Sequence, residues 1–91
     1  MGHMRIHVSR TGGFAGLSRR AGIDTAEQED AAVWESLARS ALAEGAGTPP
    51  SGVPDGFRYA ITVDGRTVHC ADPDLTDDQR TLVSRVLREG A

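Results

Sequence analysis

The chain has no lysine: all ten of its basic residues are arginines. Thirteen acidic residues outnumber them, and the formal net charge of −3 gives no global attraction to nucleic acid or to an anionic membrane. Cysteine occurs once, as Cys70, which excludes a disulfide framework. No apolar run approaches the ~20 residues of a membrane span, and no signal-peptide pattern is visible, so the expected location is the cytoplasm. At 91 residues the chain makes one domain, not two. A domain of this size buries about 60–65% of its unfolded surface, which leaves little room for a deep internal active-site cavity.

Catalytic and metal-binding spacings are missing too. There is no C-x-x-C or H-x-x-x-H pair, and a structural zinc needs four ligands. His69 and Cys70 are sequence neighbours on an expected strand, so they point to opposite faces and cannot share an ion. Asp72 and Asp74 flank a proline, but two carboxylates do not make a calcium loop. No G-x-S-x-G occurs, and Ser9 near His7 lacks an orienting carboxylate. Gly12, Gly13 and Gly16 join strand to strand with no helix N-terminus behind them, which argues against a phosphate loop. No enzyme activity, cofactor or metal is expected.

What is present reads as alternating patterns. Met1-Gly2-His3, ahead of Met4, is read as an expression scar, leaving residues 4–91 as a single α+β domain. Ile6 and Val8 alternate with Arg5, His7 and Ser9, the period of a half-buried strand. Gly12-Gly13 follows and predicts a two-residue hairpin turn that pairs Val8 with Leu17. The return stretch, 14–23, then puts its odd positions (Ala15, Leu17, Arg19, Ala21, Ile23) on the core face and points Phe14 outward. One residue of slip would turn Phe14 inward.

Thr25 with Gln28 fits a capping box, with Asp24 as the alternative cap, and predicts a helix to about Glu44. Val33, Trp34, Leu37, Ala38, Ala41 and Leu42 form its apolar stripe, with Trp34 as core anchor and Gly45 as the stop. Residues 45–56, dense in Gly and Pro, read as a mobile surface loop. Phe57, Tyr59, Ile61 and Val63 make the clearest strand, Asp64-Gly65 signals a type I′ turn, and Val68 and Cys70 face inward on the returning strand. Thr76 and Gln79 repeat the capping-box spacing before a second helix with stripe Leu75, Leu82, Val83, Val86 and Leu87, ended by Gly90.

The expected order is ββαββα, two hairpin-plus-helix halves. It predicts a four-stranded, mainly antiparallel sheet with both helices on one face and the other face wet or open to a partner. Charge is uneven along it. Arg5, Arg10, Arg19 and Arg20 make the first hairpin basic, and Asp24, Glu27, Glu29, Asp30, Glu35 and Glu44 make the following segment acidic. The simpler reading is two solvated faces that attract each other; the other is a polyanion site. Abundant Ala, Gly, Arg and Pro, whose codons are GC-rich, suggest a GC-rich bacterial source.

The run Ser9-Arg10-Thr11-Gly12-Gly13-Phe14-Ala15-Gly16-Leu17, opened by Met4-Arg5-Ile6, resembles the start of the emfourin family. Phe57-Arg58-Tyr59, Asp64-Gly65 and Pro73-Asp74-Leu75 resemble later parts of that family in the same order, so the likeness covers essentially residues 4–90. Emfourins are small bacterial inhibitors of thermolysin-like zinc metalloproteases such as protealysin. The resemblance implies a monomeric inhibitor that fills the protease cleft and excludes substrate. The segment expected to contact the protease is Arg10, Thr11, Gly12, Gly13, Phe14, Ala15, Gly16 and Leu17, which carries the family likeness and presents Phe14. Two other classes stand beside it. One is a non-inhibitory interaction module using the wet sheet face, with Arg5, His7, Arg58 and Thr62. The other is a small enzyme or ligand carrier built on the His69-Cys70 strand.

Overall fold

A computed structural model describes residues 4–12, 18–45, 57–71 and 74–90. The elements are β1 (Arg5–Gly12), β2 (Arg19–Asp24), a single 3-10 turn (Thr25–Glu27), α1 (Ala31–Glu44), β3 (Phe57–Val63), β4 (Arg66–Ala71) and α2 (Asp77–Glu89). The four strands form one antiparallel sheet in the order β2-β1-β3-β4. The fold is therefore ββαββα, an α+β architecture in which the two halves join through their first strands, β1 and β3. Alternation decides the faces. Ile6, Val8, Ala21, Ile23, Tyr59, Ile61, Val63, Val68 and Cys70 are buried on one side of the sheet, packed with Trp34, Ala38, Ala41, Leu82, Val83, Val86 and Leu87 from the helices.

The first hairpin departs from the expected register. Val8 pairs with Ala21, not with Leu17, and the described ladder ends with Arg10 opposite Arg19. The reason is β1's second partner. Thr11 and Gly12 continue the ladder with Arg58 and Phe57 of β3, so β1 takes in Gly12, the first position assigned to the turn. Gly12, at φ 93°, ends the strand in a region that L side chains avoid. The shift is by four residues, an even number, so Ala21 and Ile23 still face the core.

The second hairpin follows its turn chemistry. Asp64 (φ 50°) and Gly65 (φ 87°) both take positive φ, as a type I′ turn requires. The Asp64 carboxylate accepts from the Arg5 amide at 3.0 Å, and the Asp64 amide donates to the Arg5 carbonyl at 3.1 Å, clamping this turn to the start of β1.

Helix α1 begins later than the capping-box spacing predicts. Thr25 is fully buried, and its hydroxyl accepts from the Met4 amide at 2.8 Å instead of capping a helix. Asp24 caps only the 3-10 turn, through the Ala26 amide at 3.0 Å. The N-cap of α1 is Asp30, whose carboxylate makes no capping bond because it pairs with Arg85 on α2 at 2.9 Å. Val33 also departs from expectation: it is 50% exposed. At about 100° per residue it lies on the rim of the stripe centred on Trp34 and Ala41. Gly45 closes the helix where a Cβ would sit 2.6 Å from the Val68 side chain, so α1 ends against β4 only because that position is bare.

Helix α2 forms as its sequence predicts. The Thr76 hydroxyl accepts from the Gln79 amide, and the Gln79 side-chain oxygen accepts from the Thr76 amide, both at 3.1 Å. Gln79 is 1% exposed, and its side-chain NH2 donates to the Ala41 carbonyl at 3.3 Å. One buried amide thus caps α2 and ties it to α1.

The helices are further joined by Arg85. Its guanidinium lies 4.1 Å from the centroid of the fully buried Trp34 ring, 2.9 Å from Asp30 and 3.2 Å from Glu89. The Arg85 hydrogen bond holds the Asp30 carboxyl below its ordinary 3.8 and that of Glu89 below 4.5. Both folded-state values are depressed, so the stabilisation is fully present above the ordinary values. It is lost as the pH falls below them, through the folded-state values. Asp30→Asn is expected to flatten the acid limb of a melting-temperature profile below about pH 4 and to change its neutral limb less. A profile identical to the wild type below that pH would show the pair to be energetically silent.

Candidate functional site

The segment singled out in the sequence leaves the sheet at one end. Gly12 of β1, Arg19 of β2, Phe57 of β3 and Ala71 of β4 all lie there. Of the expected protease-contacting residues, Arg10, Thr11 and Gly12 form the last three positions of β1. Gly13, Phe14, Ala15, Gly16 and Leu17 lie outside the described residues, as do most of the expected 45–56 loop and Asp72-Pro73.

Period-2 alternation puts Arg10 on the same face as Ile6 and Val8, beyond the end of the core. Its guanidinium stacks 4.6 Å from the centroid of the Phe57 ring, which in turn tilts against Tyr59 with centroids 6.4 Å apart. Arg19 sits directly opposite Arg10 in the ladder. Its guanidinium donates to the Leu87 carbonyl in the last turn of α2, a helix end that favours cations. Two arginines are thus held side by side at the mouth of the hairpin. Like charges placed opposite each other destabilise a strand pair.

The expected attraction between the basic hairpin and the acidic segment is mostly not made. Among the described residues, Arg5 reaches Asp24 at 3.9 Å, whereas Arg10, Arg19 and Arg20 have no carboxylate within ion-pair distance. Asp30 turns to Arg85, and Glu35 to Arg39 in its own helix at 3.6 Å.

The open sheet face offers a different surface. Arg5, His7, Arg58 and Thr67 are exposed there, with Ser9, Ala60, Thr62 and His69 half-buried between them. The Thr62 and Thr67 hydroxyls share a hydrogen bond at 2.8 Å. Among the described residues Val33, on α1, is the exposed large apolar side chain, so this sheet face carries no such anchor. Cys70 is buried in the core and His69 lies on the opposite face. Among the described residues no three His, Cys, Asp or Glu side chains converge as a metal site would require, and no helix is long and apolar enough to cross a membrane.

Sequence reasoning missed two arrangements. The Trp34–Arg85–Asp30 cluster joins residues far apart in sequence, and only the crossing of α1 over α2 reveals it. The Arg10–Arg19 pairing depends on a register that local turn signals misplace; the extra signal was Thr11, whose β-branched side chain extends β1 towards Gly12.

No curated protein and no solved structure matches the chain. The family model of emfourin matches residues 8–87. That span runs from the middle of β1 to the last turn of α2, taking in both hairpins and both helices. The chain therefore belongs to the emfourin family, a family of protease inhibitors.

Proposed function

We propose that this protein inhibits a thermolysin-like zinc metalloprotease by occupying its substrate cleft, as a cytoplasmic monomer. The observation that carries the reading is the family match over residues 8–87, within which Arg10–Leu17 holds the most distinctive sequence, Gly-Gly-Phe-Ala-Gly. The protease-contacting segment is Arg10, Thr11, Gly12, Gly13, Phe14, Ala15, Gly16 and Leu17. A strand that ends in a fixed sheet with a partner on each side loses little entropy on binding, which favours tight association. Thermolysin-like enzymes accept bulky apolar side chains beside the scissile bond, and Phe14 and Leu17 have that character. Inhibition by this route needs exclusion of substrate and no protein ligand on the zinc. The open sheet face supports the alternative of a non-inhibitory interaction module less well, because it lacks an apolar anchor.

The test is direct. Purified protein is titrated into a thermolysin-like protease from the same source, and residual cleavage of a peptide substrate is followed. One-to-one loss of activity is expected. Full activity at high micromolar inhibitor would defeat the reading.

A further inference from the structure

Two grooves flank the sheet where α2 crosses it, and their charges differ. The one at the start of β1, about 300 Å³, is lined by Arg5 and His7 together with Asp24, Glu27 and Glu89, so its cations have acids beside them. The other, about 390 Å³, lies at the hairpin end. Its polar lining is Arg10, Arg19, Arg88, Tyr59 and Ser84, with Val83 and Leu87 as its apolar wall. Three guanidiniums therefore border this groove; among the described residues its lining includes no carboxylate, and the nearest pairing is that of Arg88 with Glu89 at 3.3 Å.

We propose that this groove receives the carboxylate of an Asp or Glu side chain from a protein partner; under the function proposed above, which this rests on, the partner is the protease. Charge complementarity is the first argument. A groove with three arginines and no acid among its described lining residues gains from an external anion, and a guanidinium binds a carboxylate through two parallel N–H donors. Preorganisation is the second. Arg10 is held by the Phe57 ring and Arg19 by the Leu87 carbonyl, so neither has to be ordered when an anion arrives. The third is the unfavourable pairing itself. Arg10 opposite Arg19 breaks a local rule of strand pairing with no carboxylate among the described residues to compensate, and such violations concentrate where a surface serves a partner. The apolar wall of Val83 and Leu87 limits screening by water around the charge. The groove opens at the sheet end where Arg10–Gly12 lies, so one partner can engage both.

The experiment compares the wild type, Arg10→Gln/Arg19→Gln and Arg88→Gln. Arg88 stacks on no ring and pairs with Glu89 at 3.3 Å, so its neutralisation disturbs the fold little. Melting curves establish that each variant is folded. Inhibition constants for the protease are measured at low and high salt. The double variant is expected to weaken inhibition about tenfold and Arg88→Gln by less, both with a flatter salt dependence than the wild type. Unchanged constants and salt dependence in folded variants would overturn the groove assignment while leaving inhibition intact.

A second readout works without any protease: arginine Nε–H resonances are followed during titration with a hexaglutamate peptide. Shifts at Arg10, Arg19 and Arg88 are expected in the wild type, with the Arg88 shift lost in the double variant, even if no protease is inhibited. No shift at millimolar peptide, or stronger shifts with a short single-stranded oligonucleotide, would overturn the proposal.

Discussion

Trp34→Ala is expected to lower the melting temperature by about 15–30 °C. Trp34 is fully buried and belongs to the one cluster in which both helices meet the sheet. Truncating a buried tryptophan costs about 3–5 kcal/mol, a large share of the roughly 5–14 kcal/mol that holds a domain of this length together. The loss here has a second component. With the ring gone, the Arg85 guanidinium loses the face on which it stacks at 4.1 Å and keeps only its carboxylates. Trp34→Phe separates the two. It retains most of the ring and removes a buried indole N–H that makes no well-aligned hydrogen bond among the described residues and at most a weak one to the Asp30 carboxylate. Its cost is expected to be well under half that of the alanine variant. Equal losses in the two variants would place the stabilisation on the N–H and would imply a bond to the nearby Asp30 carboxylate. The measurement is a pair of thermal melts at neutral pH.

Much of this architecture is legible in the sequence because short-range chemistry decides it. The Phe57–Val63 alternation, the Asp64-Gly65 turn and the Thr76/Gln79 box each fix their element without help from elsewhere. What local pattern misplaces is whatever a distant segment overrides. β1 reaches Gly12, the first position of the predicted turn, because β3, some fifty residues later, continues the ladder to that residue. Thr25 gives up capping because Met4 is there to bond it, and Asp30 because Arg85 is. In each case a polar group with two possible partners takes the one that long-range packing supplies. The same logic bears on the candidate site. Arg10 was legible as a member of it. Arg19, Tyr59, Ser84 and Arg88 were not, because they come from three other elements and meet only after the four-residue shift in register and the docking of α2.

Phe14→Ala is expected to weaken inhibition about ten- to a hundredfold while barely altering the melting curve. The described ladder of β1 with β2 runs from Arg5 opposite Asp24 to Arg10 opposite Arg19, and the outward orientation expected for Phe14 from the sequence is what makes its truncation cheap for the fold. The residue is the single large aromatic in the run Gly-Gly-Phe-Ala-Gly on which the resemblance to the family rests, and in the sequence it stands between Arg10 and Arg19, two arginines of the basic groove. Burying a phenylalanine at an interface contributes roughly 1.5–3 kcal/mol by area, and a central anchor exceeds about 2 kcal/mol on truncation. Each 1.4 kcal/mol is about tenfold in an inhibition constant, which gives the range. The contrast is Ile61→Ala. Ile61 is fully buried at the centre of β3, opposite Val8 on one side and Val68 on the other, and its truncation is expected to cost about 2–5 kcal/mol of stability. An inhibition constant and a melt for each variant separate contact from core. If Phe14→Ala melts as early as Ile61→Ala, the ring belongs to the core and is not the protease contact. If it melts normally and inhibits as well as the wild type, the protease contact lies on other residues of the Arg10–Leu17 segment, and Leu17→Ala is the next variant to measure.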